Sequence, residues 1–304
     1  MTKLIELYLP LVGLVLLGLI LGRYLSAQVP NVLGQFLFWV GVPVSIVAFL
    51  HTADLSGQLW IASALAWIAI LLGAFFAWIW LQGQAYRKKT IANSTKGSLL
   101  LIAMLGNTGY LGYPVTLAIV GPQYFAWALF YDLLGTALGA YGLGVALAAY
   151  FGGGVHSQWQ MLKAITINPT LWSFGFGLLF RSVAMAPLAE SCLKTFAWCV
   201  VALSLVLIGM RLSQINSWHS LPLSMVSLSI KMLLVPLILG SILPLLGLKG
   251  AIARVIVLQM AMPPAFATLV IAEAYNLDRE LAVTAMAVGY AGFLVTLPIW
   301  LWLF

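Results

Sequence analysis

Apolar residues run along this chain in blocks of about twenty, separated by short polar gaps. Read by length and flanking polarity, the blocks cover approximately residues 4–24, 32–51, 59–82, 98–120, 124–150, 165–182, 188–210, 219–245, 252–275 and 280–303. At about 1.5 Å of rise per residue, each is long enough to cross the hydrocarbon core of a bilayer. The pattern predicts an all-α polytopic membrane protein of about ten transmembrane helices. A membrane β-barrel would alternate apolar and polar positions, and no such alternation is visible. The least apolar gaps are 83–97 and 152–163, the second near mid-chain.

Two blocks are interrupted. The fourth contains GNTGYLGYP, residues 106–114, and the ninth contains MAMPPAFATL, with Pro263 and Pro264 side by side. Proline removes an amide donor and clashes with the preceding turn, while glycine lowers the cost of unusual backbone angles. At membrane depth, irregular backbone survives only when buried in protein or lining a wet cavity. Asn107 and Thr108 carry the groups to bond a freed backbone or a ligand. The breaks lie five spans apart, so the chain reads as two five-helix repeats, 1–151 and 152–304. An odd number of spans per repeat inserts the second upside down. Paired breaks in inverted repeats point to a transporter binding site.

Composition strengthens the membrane reading: 63% of the 304 residues are hydrophobic, 7% are charged, and mean hydropathy is +1.08. The net charge of +7 does not imply nucleic-acid binding, because basic residues cluster near block ends. With the N-terminus outside, Arg23, Arg87, Lys88, Lys89, Lys96, Lys163, Arg211 and Arg279 face the cytoplasm, against Lys3, Arg181, Lys194, Lys249 and Arg254 outside. This predicts a multi-pass protein with both termini outside, and the plasma (inner) membrane is the default expectation for its location. The basic run Tyr86–Lys89 reads as a cytoplasmic loop facing lipid headgroups or water. The first block is long enough to stay in the membrane rather than be cleaved as a signal. Cys192 and Cys199 lie seven apart in one block and are read as packing residues. Gly18 and Gly22 form a GxxxG seam that would suit a homodimer. No GxSxG, HExxH or Walker sequence occurs, and His51, His156 and His219 lack metal-ligand spacing. The sequence predicts no enzyme, metal or cofactor.

Ionisable residues inside spans are functional candidates. Ser220, Ser224, Ser227 and Lys231 share one face of the eighth span. In the fifth span, Asp132 shares a face with Gly135, Thr136 and Gly139, of which the two glycines suit close helix packing. Rise per residue places Asp132 about 12 Å and Lys231 about 14 Å from the outer face, so they could pair. Three roles are open to them: a structural ion pair, attraction of a carboxylate by Lys231, or proton carriage by either group. Glu273, His51 and Arg254 read as span-end residues, and Asn168-Pro169 as the start of the sixth span.

GNTGYLGYP together with MPPAFATLVIAEAYNLDRELA resembles the auxin efflux carrier family, which includes plant PIN proteins and bacterial carriers. NPTLWSFGFGLLF and SIKMLLVPLIL extend the resemblance over nearly the whole chain. It implies a fold similar to bile-acid sodium symporters, with broken helices 4 and 9 crossing at the substrate site. Helices 1, 2, 6 and 7 would form a scaffold, and helices 3–5 and 8–10 a transport core moving elevator-fashion. The implied function is secondary transport of small organic anions, with proton or sodium coupling left open. A carrier of a neutral or amino-acid-like solute, a channel and a transporter-like sensor are the alternatives. The expected substrate-binding residues are Asn107, Thr108, Gly109, Tyr110, Pro114, Asp132, Lys231, Pro263 and Pro264. Tyr110 and Tyr113 would narrow the pocket or stack on a substrate ring.

Overall fold

The computed structural model describes residues 2–26, 28–55, 57–152, 166–167, 169–213 and 220–304. Lys163, Asn168, His156 and His219 lie outside the described residues. The main helices are α1 (Thr2–Tyr24), α2 (Val29–Thr52), α3 (Trp60–Tyr86), α4 (Asn93–Met104), α5 (Gly112–Ile119) and α6 (Pro122–Gly152). They continue as α7 (Pro169–Phe180), α8 (Pro187–Ser213), α9 (Leu221–Leu246), α10 (Gly250–Met260), α11 (Phe266–Ala274) and α12 (Arg279–Leu303). Six of them, α2, α3, α6, α8, α9 and α12, are long and apolar enough to cross a membrane. The chain is an all-helical, multi-pass membrane protein. The fourth and ninth blocks are each two helices with an extended link, and α4 starts at Asn93, before the apolar run.

Contacts divide the chain into two units, the first formed by Met1–Leu59, Gly109–Leu129 and Thr166–Gln214. Within it, α1 and α8 meet backbone to backbone. A Cβ added at Gly18 would lie 2.0 Å from the Val206 carbonyl oxygen, one at Gly22 2.8 Å from Met210 Cα, and one at Gly209 1.9 Å from the Val15 oxygen. The GxxxG seam is therefore filled inside the chain, which removes the sequence argument for a dimer through these glycines. α7 packs on α2, with Gly177 against Leu50. Arg181 then ties the end of α7 to the carbonyl of Ala53 at 2.8 Å. Cys192 and Cys199 are exposed on α8 and do not pack in the core as expected. In a lipid-embedded helix an apolar thiol gains as much from facing lipid as from facing protein.

The second unit comprises Trp60–Thr108, Phe130–Ile165 and Ile215–Phe304. Here α3 is the wall on which two helices lie. Gly135 and Gly139 of α6 sit against Ala66 and Ile70, and Trp67 Nε1 donates to the Leu134 carbonyl at 2.9 Å. On α4, Gly97 through Met104 are all buried. Gly73 of α3 lets the Ala103 carbonyl approach to 2.2 Å of where a Cβ would stand. Trp300 is buried, whereas Trp60 and Trp78 are exposed, as is Trp39 on α2 of the first unit. Glu273 and Arg279 pair at 2.5 Å across the α11–α12 link, both well exposed, as span-end residues should be.

Candidate functional site

Within the second unit the interrupted helices cross. α4 ends at Met104, and Leu105 is extended at φ −106°, ψ 115°. α10 ends at Met260 because Pro263 and Pro264 offer no amide to continue it. The two extended links pair as one short antiparallel bridge, Gly106 opposite Pro264. Asn107 N donates to the Pro263 carbonyl at 2.7 Å, and Ala265 N to the Leu105 carbonyl at 3.0 Å. Each break thus supplies hydrogen bonds that its own helix cannot, which is how irregular backbone is tolerated at depth.

Side chains from three further helices converge on the link after α4. Asn107 Nδ2 donates to the Tyr290 hydroxyl of α12 at 2.7 Å. Thr108 Oγ1 donates to the Asp132 carboxylate of α6. Lys231 of α9, 2% exposed, lies on Gly106: a Cβ there would stand 3.0 Å from its Cε and 3.3 Å from its Nζ. The two charges picked out by the sequence therefore flank one short stretch, Asp132 at Thr108 and Lys231 at Gly106. Gly289, next to Tyr290, brings α12 against both prolines; an added Cβ would meet Pro264 Cδ at 2.8 Å and Pro263 Cβ at 3.1 Å. On α9, Ser224 and Ser227 are fully buried, and Ser227 Oγ bonds the Leu99 carbonyl at 3.2 Å.

Both charged residues sit in widened π turns, Asp132 in Asp132–Ala137 and Lys231 in Ile230–Leu234. The second directly precedes a helical segment with Pro236 in its first turn. The proline ring crowds the carbonyl four residues earlier and lacks a donor, and a wide turn relieves both defects. Such bulges rotate the following side chains off regular helical spacing and recur at functional sites.

The far end of α4 is pinned. Asp278 caps α12 by accepting from Leu281 N at 2.9 Å, and its other oxygen accepts from Thr95 Oγ1 at 2.8 Å. Ser98 Oγ donates to the Asp278 carbonyl at 2.8 Å. Thr95–Asp278 and Asn107–Tyr290 both join residues 183 apart. α4 and α12 therefore run parallel in one register from the pin to the crossing.

The remaining expected residues group with the other unit. Gly109, Tyr110 and Pro114 belong to the first unit. Tyr110 packs against the cluster of Leu37, Val200 and Leu207, and Tyr113 stacks edge-on with Phe125 at 5.2 Å. Sequence reasoning missed Tyr290, Gly289 and Asp278. Tyr290 left a signal: it is the lone tyrosine of an apolar span, and a buried phenol seeks a partner.

A family model described as membrane transport protein matches residues 154–301. An uncharacterized transporter of Methanothermobacter thermautotrophicus is 30% identical over 300 residues, covering 97% of this chain and 96% of that protein. An uncharacterized transporter of Methanocaldococcus jannaschii is 27% identical over 212 residues, 68% of each chain. With matching that spans almost the full length, the chain belongs to the auxin efflux carrier-like family of membrane transport proteins.

Proposed function

We propose that this membrane transporter is a secondary carrier of small organic anions, working by elevator-type alternating access. The observation that carries the reading is the crossing of two interrupted helices inside one unit. Asn107, Thr108, Asp132, Tyr290 and Lys231 converge there, with Pro263 and Pro264 opposite. Asn107 and Tyr290 would bond the solute, and Lys231 would supply the positive potential that draws a carboxylate inward. Asp132, through Thr108, would balance that charge.

The elevator reading draws on the grouping of contacts. α1, α2, α7 and α8 group in one unit together with α5, while α3, α4, α9–α12 and most of α6 group in the other; on this reading the first set without α5 is the scaffold, and the second set with α5 the moving core. Two inverted repeats, 1–151 and 152–304, account for breaks five spans apart. The proposed location is the plasma membrane, and the distribution of basic residues favours both termini outside.

The test is current from proteoliposomes on a solid-supported membrane, challenged with a panel of small carboxylates. Transient currents that vanish in Lys231→Ala are expected. Uptake of a neutral solute without competition by carboxylates would overturn the anion assignment, and single-channel currents would overturn the carrier.

A further inference from the structure

The link between α3 and α4 is basic, with no acid of its own to answer it. Between Asp54 and Asp132 the chain has no aspartate or glutamate, and its four cations there, Arg87, Lys88, Lys89 and Lys96, fall within ten residues. α3 has 27 residues. At about 1.5 Å of rise each it is roughly 40 Å long, about the thickness of a bilayer with its headgroups. Its end residues, Trp60 and Tyr86, are 65% and 92% exposed, as aromatic residues at the two interfaces are. Arg87, Lys88 and Lys89, all exposed, therefore leave α3 at headgroup level. They enter no ion pair among the described residues. Two acids at this end of the second unit are already engaged. Glu273 pairs with Arg279, and the oxygens of Asp278 accept from Leu281 N and Thr95.

Two of the four cations break a local rule. Lys88 is left-handed, at φ 54°, in a helix stop made by Lys89 N to the Gln84 carbonyl at 3.1 Å and Lys88 N to the Ala85 carbonyl at 3.0 Å. That position favours glycine, which has no Cβ to strain. Lys96 stands in the first turn of α4, where the amides of a helix start favour an anion. Its ammonium donates to the uncharged Asn93 side-chain oxygen at 3.2 Å. The half charge at the α3 C-terminus answers less than one of the four cations. Backbone strain kept at a charged residue points to a use for the charge.

We propose that Arg87, Lys88, Lys89 and Lys96 form a docking surface for the phosphates of anionic phospholipids. Charge complementarity carries the choice of partner: phosphodiesters at the depth where α3 ends supply the negative charge that the link lacks. They also suit the start of α4, whose first amides favour an anion. α4 runs from this surface to the crossing and is pinned to α12 through Thr95 and Ser98. Lipid held here therefore bears on the unit that contains the candidate site. Docking of this kind is independent of the solute and of the mode of transport.

The test is thermal melting of the purified full-length protein in an uncharged detergent, titrated with phosphatidylglycerol or with phosphatidylcholine of the same acyl chains. The wild type is expected to show a saturable rise in melting temperature at a lower concentration of phosphatidylglycerol than of phosphatidylcholine. The difference should shrink as added salt screens charge. Each cation removed is expected to raise the half-saturating phosphatidylglycerol about fivefold, and the triple variant Arg87→Gln, Lys88→Gln, Lys89→Gln about a hundredfold. Lys194→Gln with Lys249→Gln, which removes charge outside the link, should titrate as the wild type. Lys88→Gly relieves the left-handed strain, so it should melt no lower than the wild type without lipid and still need about fivefold more phosphatidylglycerol. Equal titrations with the two lipids would overturn the proposal, as would a triple variant that titrates like the wild type. A saturable rise with glycerol phosphate alone would mark a soluble-anion site and overturn the lipid assignment. Should the triple variant fail to fold, Arg87→Lys, Lys88→Arg, Lys89→Arg keeps the charge and is expected to fold and titrate as the wild type; loss of the phosphatidylglycerol response in that variant counts against the proposal.

Discussion

The two breaks do the same geometric work with opposite chemistry. The first, Gly106-Asn107-Thr108, is thin and polar: it admits Lys231 against its backbone and sends two side chains to α12 and α6. The second, Met262-Pro263-Pro264-Ala265, contributes carbonyls and two rigid rings, and its side chains donate nothing. Their sequels differ as well. The helix after the first break, α5, groups with the first unit, whereas α11 stays with α10 in the second. One break therefore carries the polar side chains, and the other fixes the backbone to which they are bonded.

The sharpest way to break this contrast is Gly106→Val. Its Cβ alone would stand 3.0 Å from Lys231 and 3.2 Å from the Met262 oxygen. We expect loss of transport and a stability loss of about 2–3 kcal/mol from overpacking, read by transport current and thermal melting. An equal change at the second break, Ala265→Val, should cost far less, because Ala265 meets the first break through its amide.

Next in size is the polar pair. Asn107→Ala and Tyr290→Phe each remove one side of a 2.7 Å bond in a buried site. Each should cut transport at least about tenfold, and a double-mutant cycle should return a coupling of about 1 kcal/mol. Additive losses would separate the two residues. Thr108→Val, of similar shape, removes a donor to Asp132; transport should fall while melting shifts by only a few degrees.

Smaller still is the pin. Asp278→Ala removes the α12 cap and the acceptor of Thr95, for an expected loss of about 1–2 kcal/mol in thermal unfolding. Asp278→Asn should recover part of it, since the amide oxygen can still cap. The smallest effect is expected at Tyr110, whose ring packs in the first unit's cluster. Tyr110→Phe should leave any substrate preference unchanged in competition assays, and a changed preference would show that the ring meets the solute.

Much of this architecture was legible because membranes simplify the code. Long apolar runs mark helices, and a proline pair or a polar, glycine-rich stretch inside one is conspicuous because lipid forgives neither. Lys231 and Asp132 stood out for the same reason. The glycine pairs were ambiguous. Gly135 and Gly139 pack on α3, as their spacing predicts, but Gly18 and Gly22, with the same spacing, are covered by α8 of the same chain. A small-residue seam records close approach and not the identity of the partner. The cysteines misled because an apolar residue on a membrane helix faces protein or lipid at similar cost.

By itself the sequence determined the membrane setting, the two breaks, and the two charges within apolar runs, since each is a local departure from a hydrophobic run. Only the tertiary structure decided that the breaks bond one another, that Asn107 finds Tyr290 183 residues away, and that Asp132 and Lys231 flank one stretch of backbone. Those are choices among polar groups of comparable hydrogen-bonding strength. Burial makes every such group seek a partner, and the packing of the helices selects which one it meets.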